Sequence, residues 1–383
     1  MTQHKSNRLS ATFIFLAALG ISVFSVQGVA KESTLTLDAA SLESVSLTVP
    51  VGPVDIFGID TDEVKIVFDV KNSLYERFQV EKNVTKGEWV VNAKLQRGAR
   101  GFFNFDTRPP LRTTIYLPEQ LAITAQTSGG AIRIQDVVSD AQLSTSGGSV
   151  KGNHLGGSLD VRTSGGSIKF ERVLGNAVVR TSGGSVKLGE VSGSVDARTS
   201  GGSVRVWQVQ GEVDVSTSGG SIKLDNLQNR VTASTSGGFI KVNQVTGPIS
   251  VSTSGGSIEA NGVLAEFTAR TSGGGIRLQE VLGPVSAETA GGDVRFKAQQ
   301  ALKGNIELKT KGGDVFFEVA EGIGADIEAQ SQEGIESDFL IGGLREAKGE
   351  LSGALFGGGP NVSLISGGSG WNDRGKVFIR QLN

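Results

Sequence analysis

The stretch TSGGSIKFERVLGNAVVR, Thr163–Arg180, is one unit of a repeat that occupies about half of the chain. The unit returns every 18 residues, and its first threonine occurs as Thr127, Thr145, Thr163, Thr181, Thr199, Thr217, Thr235, Thr253, Thr271 and Thr289. Counted from this threonine, positions 6, 8, 11, 15 and 17 are apolar and alternate with polar residues in two short stretches. That alternation predicts two β-strands per unit, because successive side chains of a strand point to opposite faces.

A single unit cannot bury its apolar face, whereas stacked units can, because each strand pairs with its copy in the next unit. The constant period therefore predicts an all-β, parallel β-solenoid with 18-residue rungs, in which residue i pairs with residue i+18. Continuing the alternation from position 17 points the repeated threonine inward and its serine outward. The inward threonine hydroxyls are expected to hydrogen-bond one another along the axis.

Glycine marks two corners of each rung. The Gly-Gly pair of the TSGG motif forms one corner, and position 13 forms the other. Because glycine and asparagine accept a positive φ, the sequence predicts left-handed backbone at position 13. The residues concerned are Gly157, Gly175, Gly193, Gly211 and Asn229.

The repeats divide the chain into four parts. Residues 1–30 have the pattern of a secretory signal peptide, with Lys5 and Arg8 before a mostly apolar stretch and Ala30 at the expected cleavage site. Residues 31–126 are predicted to form a non-repetitive N-terminal β cap, residues 127–309 the regular TSGG solenoid, and residues 310–383 irregular repeats with a C-terminal cap. The expected location is periplasmic, or secreted or at the cell surface.

Composition excludes several kinds of chemistry. Cysteine is absent and only two histidines occur, which excludes disulfides and thiolate metal sites and argues against the usual zinc sites and catalytic triads. Lys plus Arg number 37 against 39 for Asp plus Glu, so net charge gives no reason to expect nucleic acid as a partner. The TSGGSIK motif lacks the aspartate of calcium-binding nonapeptide repeats, and no phosphate-binding loop motif is present. No metal or cofactor is expected.

Three stretches together resemble a known family: SVSLTVPVGPVDIFGIDTDEVKIVFDV at 44–70, TTIYLPEQLAITAQTSGGAIRIQDV at 113–137, and the TSGG repeats. They are similar to the bacterial putative-adhesin β-repeat family, a domain of unknown function with Gly-rich strand repeats. The family's usual S-G-D pattern is kept at Asp293 and Asp314 but mostly replaced here. The resemblance implies a non-enzymatic, adhesin-like or structural protein of the cell envelope, with an envelope-stress-associated periplasmic scaffold as an alternative. It supplies no catalytic residues.

A polysaccharide-processing β-helix enzyme is the other alternative, because such enzymes place paired carboxylates on one face. Asp196 and Asp214 both occupy position 16 of neighbouring units. Position 18 on the same face carries Arg180 and Arg198, so simple ion pairing explains the aspartates equally well. The regular array also lacks the long loops that build a catalytic cleft.

Aromatic residues give two further hypotheses. Phe102, Phe103 and Phe105 lie among arginines, and they either contact a membrane surface or a protein partner or fold over the open core. The few tryptophans are too scattered for a carbohydrate-stacking platform, and Trp207 is expected to be a surface plug in a solenoid turn.

Position 7 carries the main candidate binding site. It lies between buried positions 6 and 8 and therefore points outward, and stacking would align its residues about 4.8 Å apart. Nine of its ten occupants are basic: Arg133, Lys151, Lys169, Lys187, Arg205, Lys223, Lys241, Arg277 and Arg295, with Glu259 as the exception. The column is either a soluble face that discourages sheet association or a track for an anionic glycan or lipopolysaccharide.

Overall fold

The computed structural model describes residues 32–70, 72–96, 111–347, 349–368 and 374–382. The predicted signal peptide and Phe102, Phe103 and Phe105 lie outside the described residues. A short 3₁₀ helix, Asn72–Arg77, interrupts the N-terminal strands. These strands are β1 Glu32–Asp38, β2 Ser44–Val49, β3 Val54–Ile59, β4 Glu63–Val70, β5 Phe78–Thr85, β6 Glu88–Leu95 and β7 Leu111–Pro118. Among the described residues, no helix is long and apolar enough to cross a bilayer.

Eleven rungs then follow one another along the chain, each with one strand in a first sheet and one in a second. The strands of the second sheet are β8 Ala122–Thr127, β10 Ala141–Thr145, β12 Leu159–Thr163, β14 Ala177–Arg180, β16 Val195–Arg198, β18 Val213–Ser216, β20 Val231–Thr235, β22 Ile249–Thr253, β24 Phe267–Thr271, β26 Val285–Thr289 and β28 Ile306–Thr310. Those of the first sheet are β9 Ile132–Val137, β11 Val150–Leu155, β13 Ile168–Val173, β15 Val186–Val191, β17 Val204–Val209, β19 Ile222–Leu227, β21 Ile240–Val245, β23 Ile258–Val263, β25 Ile276–Val281, β27 Val294–Ala298 and β29 Val315–Val319.

The register confirms the predicted parallel solenoid. Val186 pairs with Val204 in the first sheet, and Val195 pairs with Val213 in the second, so each residue meets its copy 18 residues later. The spacing is longer only between the last two of these rungs, where Val285 pairs with Ile306. The side-chain period of two then places every apolar position of the repeat on the interior faces.

The interior is a set of apolar columns between the two sheets. In the unit that begins at Thr163, Ile168, Phe170, Val173 and Val179 are all 1% exposed or less. Full burial of such a side chain stabilises the fold by about 1.5–3 kcal/mol. The five apolar positions of each unit therefore hold neighbouring rungs together. Side-chain size is matched between rungs, since the ring of Phe170 fills the space above Gly152, where an added Cβ would lie 2.3 Å from it.

The repeated threonine points inward, as predicted, but its hydroxyl does not bond the next threonine. The Oγ1 of Thr199 donates to the carbonyl of Gly184 at 2.8 Å, and the N–H of Gly202 donates to the same Oγ1 at 3.3 Å. The same pair of bonds recurs in the neighbouring rungs, for example at Thr181. Because the turn itself offers buried backbone groups, satisfying them takes precedence over a hydroxyl ladder.

Position 13 does form a corner, but the predicted positive φ is wrong. Gly157, Gly175, Gly193, Gly211 and Asn229 are not among the residues with positive φ. Close stacking accounts for the glycine at Gly193 instead, since a Cβ there would lie 2.5 Å from the carbonyl oxygen of Gly175 one rung earlier. The glycines therefore serve backbone approach rather than left-handed backbone.

The first nine of the eleven rungs have a left-handed residue at position 10, within the first-sheet strand. These residues are Asp136, His154, Arg172, Glu190, Gln208, Asn226, Gln244, Gly262 and Glu280. The non-glycine members have φ between 50° and 57°. This conformation is costly for most side chains, so a kink of constant geometry is built into every rung that carries it.

The C-terminal strands complete the fold: β30 Ala325–Ser331, β31 Ile335–Ser337, β32 Gly342–Ala347, β33 Glu350–Leu355, β34 Asn361–Ser366 and β35 Val377–Gln381. Here stacking order departs from chain order. Strand β34 lies between β28 and β30, and β35 lies between β29 and β31, all in parallel. Antiparallel β33 and β32 then close the second sheet.

The N-terminal segment is non-repetitive in sequence, as predicted, yet it continues both sheets. Strand β2 pairs in parallel with β6 and β8, and β3 pairs in parallel with β7 and β9. The rung β2–β3 is thus inserted between two rungs that come later in the chain. In the second sheet, β5 pairs with β6 in antiparallel orientation. In the first sheet, β4 pairs antiparallel with β7, and β1 pairs antiparallel with β4. The parallel stack is therefore followed in both sheets by an antiparallel strand. Such edges resist addition of a further identical rung.

Candidate functional site

The nine basic residues of position 7 lie in one line on the outer face of the first sheet. From Arg133 to Lys241 each pairs directly with the next across neighbouring strands, as Lys151 does with Lys169 and Lys187 does with Arg205, whereas Glu259 separates Lys241 from Arg277. Strand pairing sets their backbone spacing at about 4.8 Å. All except half-buried Arg295 are exposed. We call this line the basic column.

The two ends of the basic column are neutralised by acidic residues. Arg133 donates to the carboxylate of buried Asp55 at 3.0 Å, and at the other end Arg295 lies 3.2 Å from Glu318. Glu259, the single acid within the column, lies 3.4 Å from both Lys241 and Arg277. These pairs remove the like-charge repulsion that direct neighbours would otherwise produce.

The middle of the column is different. Lys169 has an acidic neighbour, Glu171, at 3.0 Å. Within the described residues, Lys151, Lys187, Arg205 and Lys223 have no ion-pair partner. Lys187, Arg205 and Lys223 are consecutive, so three unpaired cations lie side by side across two rung spacings, or about 10 Å.

Aromatic rings accompany this unpaired segment. The guanidinium of Arg205 is 5.6 Å from the centre of the Trp207 indole, and the ammonium of Lys223 is 5.6 Å from the Phe239 ring. Trp207 lies in β17, on the same outer face, so its predicted place in a turn is wrong. The reason is that position 9 is an outward strand position, followed by the kink at position 10.

The outer face of the second sheet carries an alternating ladder of charges. Arg180 and Arg198 both contact Asp196, at 2.9 and 3.2 Å, and Arg198 also contacts Asp214 at 3.0 Å. Each carboxylate proposed for catalysis is therefore in an ion pair. This geometry favours the electrostatic explanation of position 16 over a catalytic one. No group of three His, Asp or Glu side chains that could hold a metal ion occurs in the ranges that the structure describes.

Sequence reasoning missed a groove that follows the kink at position 10. The groove has a volume of about 690 Å³ and passes Asp136, His154, Arg172, Glu190 and Gln208 on successive rungs. The first four are linked: His154 contacts both Asp136 and Arg172, and Arg172 lies 3.4 Å from Glu190. The signal in the sequence was position 10, which carries no apolar residue from Asp136 to Glu280 and includes Asn226 and Gly262, the two residue types that tolerate positive φ.

The family model of Toastrack DUF4097 matches residues 45–261 and 208–350, which together cover more than half of the chain. The chain belongs to the Toastrack DUF4097 family. The resemblance drawn from residues 44–70, 113–137 and the TSGG repeats is thereby confirmed. The matched residues of this Toastrack chain include all of the basic column, the rung β6–β7, strand β3 and all of β2 except Ser44.

Solved structures similar to this Toastrack chain include three bacterial proteins. A putative cell adhesion protein from Clostridium sporogenes is 12% identical, with 92% of this chain and 99% of that chain covered and a TM-score of 0.20. A putative adhesin from Parabacteroides distasonis is 17% identical, with coverages of 68% and 98% and a TM-score of 0.29. A putative lipid binding protein from Parabacteroides distasonis is 12% identical, with coverages of 76% and 95% and a TM-score of 0.24. No curated protein matches the chain.

Proposed function

We propose that this protein is an exported, non-enzymatic component of the cell envelope whose basic column binds an anionic envelope polymer, such as an acidic glycan or lipopolysaccharide. The observation that carries the proposal is the run Lys187, Arg205 and Lys223, which lacks acidic partners within the described residues. A linear polyanion lying along the axis would meet one cation per rung. Its negative charges would offset the repulsion between neighbouring cations.

The competing explanation is a face that only keeps the rod soluble. The second sheet solves that problem differently, because its outer face alternates Asp196 and Asp214 with Arg180 and Arg198 in mutual ion pairs. Solubility therefore does not require a row of unpaired like charges. A net charge of −2 for the whole chain also means that the column is a local concentration of cations rather than a reflection of composition.

The test is a binding titration of lipopolysaccharide and of an acidic polysaccharide at several salt concentrations. Affinity should fall steeply with salt, since bound cations release the counterions of the polymer. The triple variant Lys169→Glu, Lys187→Glu, Lys223→Glu should abolish binding and leave the circular dichroism spectrum unchanged. Its matched control, Lys82→Glu, Lys303→Glu, Lys311→Glu, changes net charge equally away from the column and should bind as the parent does. Binding that survives the first variant would rule out the column.

The enzyme alternative rests on Asp196 and Asp214 and has its own test. Incubation with uronic-acid and neutral polysaccharides should give no cleavage products, because both carboxylates are held by arginines. A measurable rate that falls in Asp196→Asn or Asp214→Asn would favour the enzyme instead. Cell fractionation followed by protease treatment of intact cells tests export and separates the periplasm, including a stress-associated scaffold there, from the cell surface.

A further inference from the structure

Trp207 occupies a place that the rest of the array fills with small or polar residues. Position 9 carries Gln135, Asn153, Glu171, Gly189, Trp207, Asp225, Asn243, Asn261, Gln279 and Lys297. Trp207 pairs directly with Gly189 in the rung before it and with Asp225 in the rung after it. Asp225 is turned to the other side, where it accepts a hydrogen bond from the side chain of Asn243 at 2.6 Å.

Gly189 provides the space in which the indole lies. A Cβ on Gly189 would be 2.0 Å from Cε2 of Trp207 and 2.4 Å from its Nε1, so the ring rests directly on the glycine backbone. The side chain of Trp207 is half-buried by this contact. A ring supported in this way is held in place before a ligand arrives, which lowers the entropy cost of binding.

The indole also lies beside the unpaired segment of the basic column. Arg205 is 5.6 Å from the ring centre, and Lys187 and Lys223 flank Arg205 on the neighbouring strands. A ligand unit seated on the indole would thus have a cation within reach on its own rung and on the rungs before and after. Charge alone does not account for the aromatic ring, because a simple polyanion needs only the cations.

We propose that Trp207 is a stacking subsite for the pyranose ring of an acidic polysaccharide, whose carboxylates contact Lys187, Arg205 and Lys223. The C–H face of a sugar carries partial positive charge and is attracted to the negative face of the indole. The polymer then runs along the solenoid axis, with one sugar on the indole and its neighbours over the column. This inference rests on the proposed function and narrows its ligand from any polyanion to a polymer of charged sugar rings.

Three polymers separate the two contributions: polygalacturonate has rings and carboxylates, polyglutamate has carboxylates without sugar rings, and dextran has rings without charge. The purified protein should bind polygalacturonate best, polyglutamate more weakly and dextran not at all. Trp207→Ala should weaken polygalacturonate binding about three- to tenfold, the loss of one aromatic contact. The same variant should leave polyglutamate binding unchanged. Trp207→Phe should retain part of the polygalacturonate affinity that Trp207→Ala loses.

The matched control is Gln279→Ala, in the same column four rungs away, which should change neither affinity. A second readout is the difference in tryptophan emission between the parent and Trp207→Phe. Trp89, which is buried at 2% exposure, and Trp371 are common to both proteins, so the difference reports on position 207. Polygalacturonate should shift this difference spectrum and polyglutamate should not.

The outcomes distinguish the two proposals. Equal binding of polygalacturonate and polyglutamate, with neither affected by Trp207→Ala, overturns the stacking subsite and leaves the basic column as a general polyanion site. Failure of both polymers to bind at low salt overturns the basic column as well. Loss of polyglutamate binding in a folded Trp207→Ala variant also overturns the subsite, because the indole would then act by positioning Arg205 rather than by stacking on sugar.

Discussion

The regular array and the two ends of the rod are built from the same kind of rung but are ordered differently. In the array, each rung stacks on the rung that precedes it in the chain, 18 residues away. At both ends, a rung distant in sequence is inserted: β2–β3 between β6–β7 and β8–β9, and β34–β35 between β28–β29 and β30–β31. A rung therefore fits wherever its neighbours match it, whether or not they are adjacent in the chain.

The hydroxyl link between rungs shows what the two regions share. At the N-terminal end, Thr127 Oγ1 donates to the carbonyl of Gly52, on the inserted rung, at 2.9 Å. At the C-terminal end, Ser366 donates to Gly313 and Ser331 donates to Gly375, both at 2.8 Å. Serine thus replaces threonine where the TSGG pattern is lost. The buried turn carbonyl needs a donor in every rung, and the order of the chain does not change that need.

The largest expected loss of stability comes from removing the inserted rung β34–β35 at the C-terminal end. Truncation after residue 360 removes β34–β35, which bury Val362, Leu364, Val377 and Ile379. At about 1.5–3 kcal/mol for each side chain, the loss is on the order of 6 kcal/mol or more, and β30–β33 should detach from the array. Hydrogen exchange and limited proteolysis should show residues 325–355 unprotected.

Deletion of a whole internal rung is the control for this truncation. Removal of residues 236–253 joins Thr235 to Ser254 and preserves both the motif and the register. Because each rung contacts only its neighbours, this shorter protein should fold with a similar thermal midpoint. A deletion variant as unstable as the truncation would contradict the view that internal rungs are interchangeable.

The two glycines of one TSGG motif should respond very differently to alanine. A Cβ on Gly202 would lie 2.0 Å from the carbonyl oxygen of Gly184, whereas a Cβ on Gly201 finds its nearest neighbour at 3.7 Å. Gly202→Ala should therefore lower the free energy of unfolding by about 3 kcal/mol or more, because the backbone of the neighbouring rung is hydrogen-bonded in the sheet and cannot shift away from the new methyl group. Gly201→Ala should be neutral or slightly stabilising. Chemical denaturation of both variants measures the difference, and equal losses would disprove the stacking explanation.

Thr199→Val should have an intermediate effect. Valine keeps the shape but leaves the carbonyl of Gly184 and the N–H of Gly202 without their partner, at a cost of about 1–3 kcal/mol. Ser200→Ala, one residue later and exposed, should cost almost nothing. A Thr199→Val protein as stable as the parent in urea would show that the hydroxyl link does not support the stack.

The smallest effect concerns acid and the C-terminal end. Hydrogen bonds from Lys376 and Arg380 lower the pKa of Glu336, and a hydrogen bond from Arg380 lowers the pKa of Asp338. A carboxylate whose pKa is lowered in the folded state stabilises that state at pH values above its unfolded pKa. This stabilisation is lost as the pH falls through the folded pKa. Exchange protection of β31 and β35 should therefore weaken at acidic pH before that of the array. Arg380→Gln should remove the part of this pH dependence that comes from Asp338 and reduce the part that comes from Glu336, where the hydrogen bond from Lys376 remains.

Much of the fold could be predicted from the repeat alone. The period of 18 fixed the parallel register, and the alternation at positions 6, 8, 11, 15 and 17 fixed the interior, because a strand has only two faces. The same reasoning put Lys187 and Arg205 on the outer face. It failed where turn geometry mattered: Gly193 and its equivalents could serve either positive φ or close approach, and residue type alone does not separate the two.

Local sequence therefore determined the strands, the register of the array, the inward threonine and the line of cations, since each depends only on a period and on neighbouring rungs. Tertiary structure decided the inserted rungs at both ends, because those pairings join segments without a shared repeat. It also decided which cations are neutralised. Asp55 reaches Arg133 from a strand 78 residues away in the chain, whereas no acidic side chain among the described residues pairs with Arg205, which lies beside the indole of Trp207. Electrostatic partners depend on distance in space, which a one-dimensional pattern does not contain.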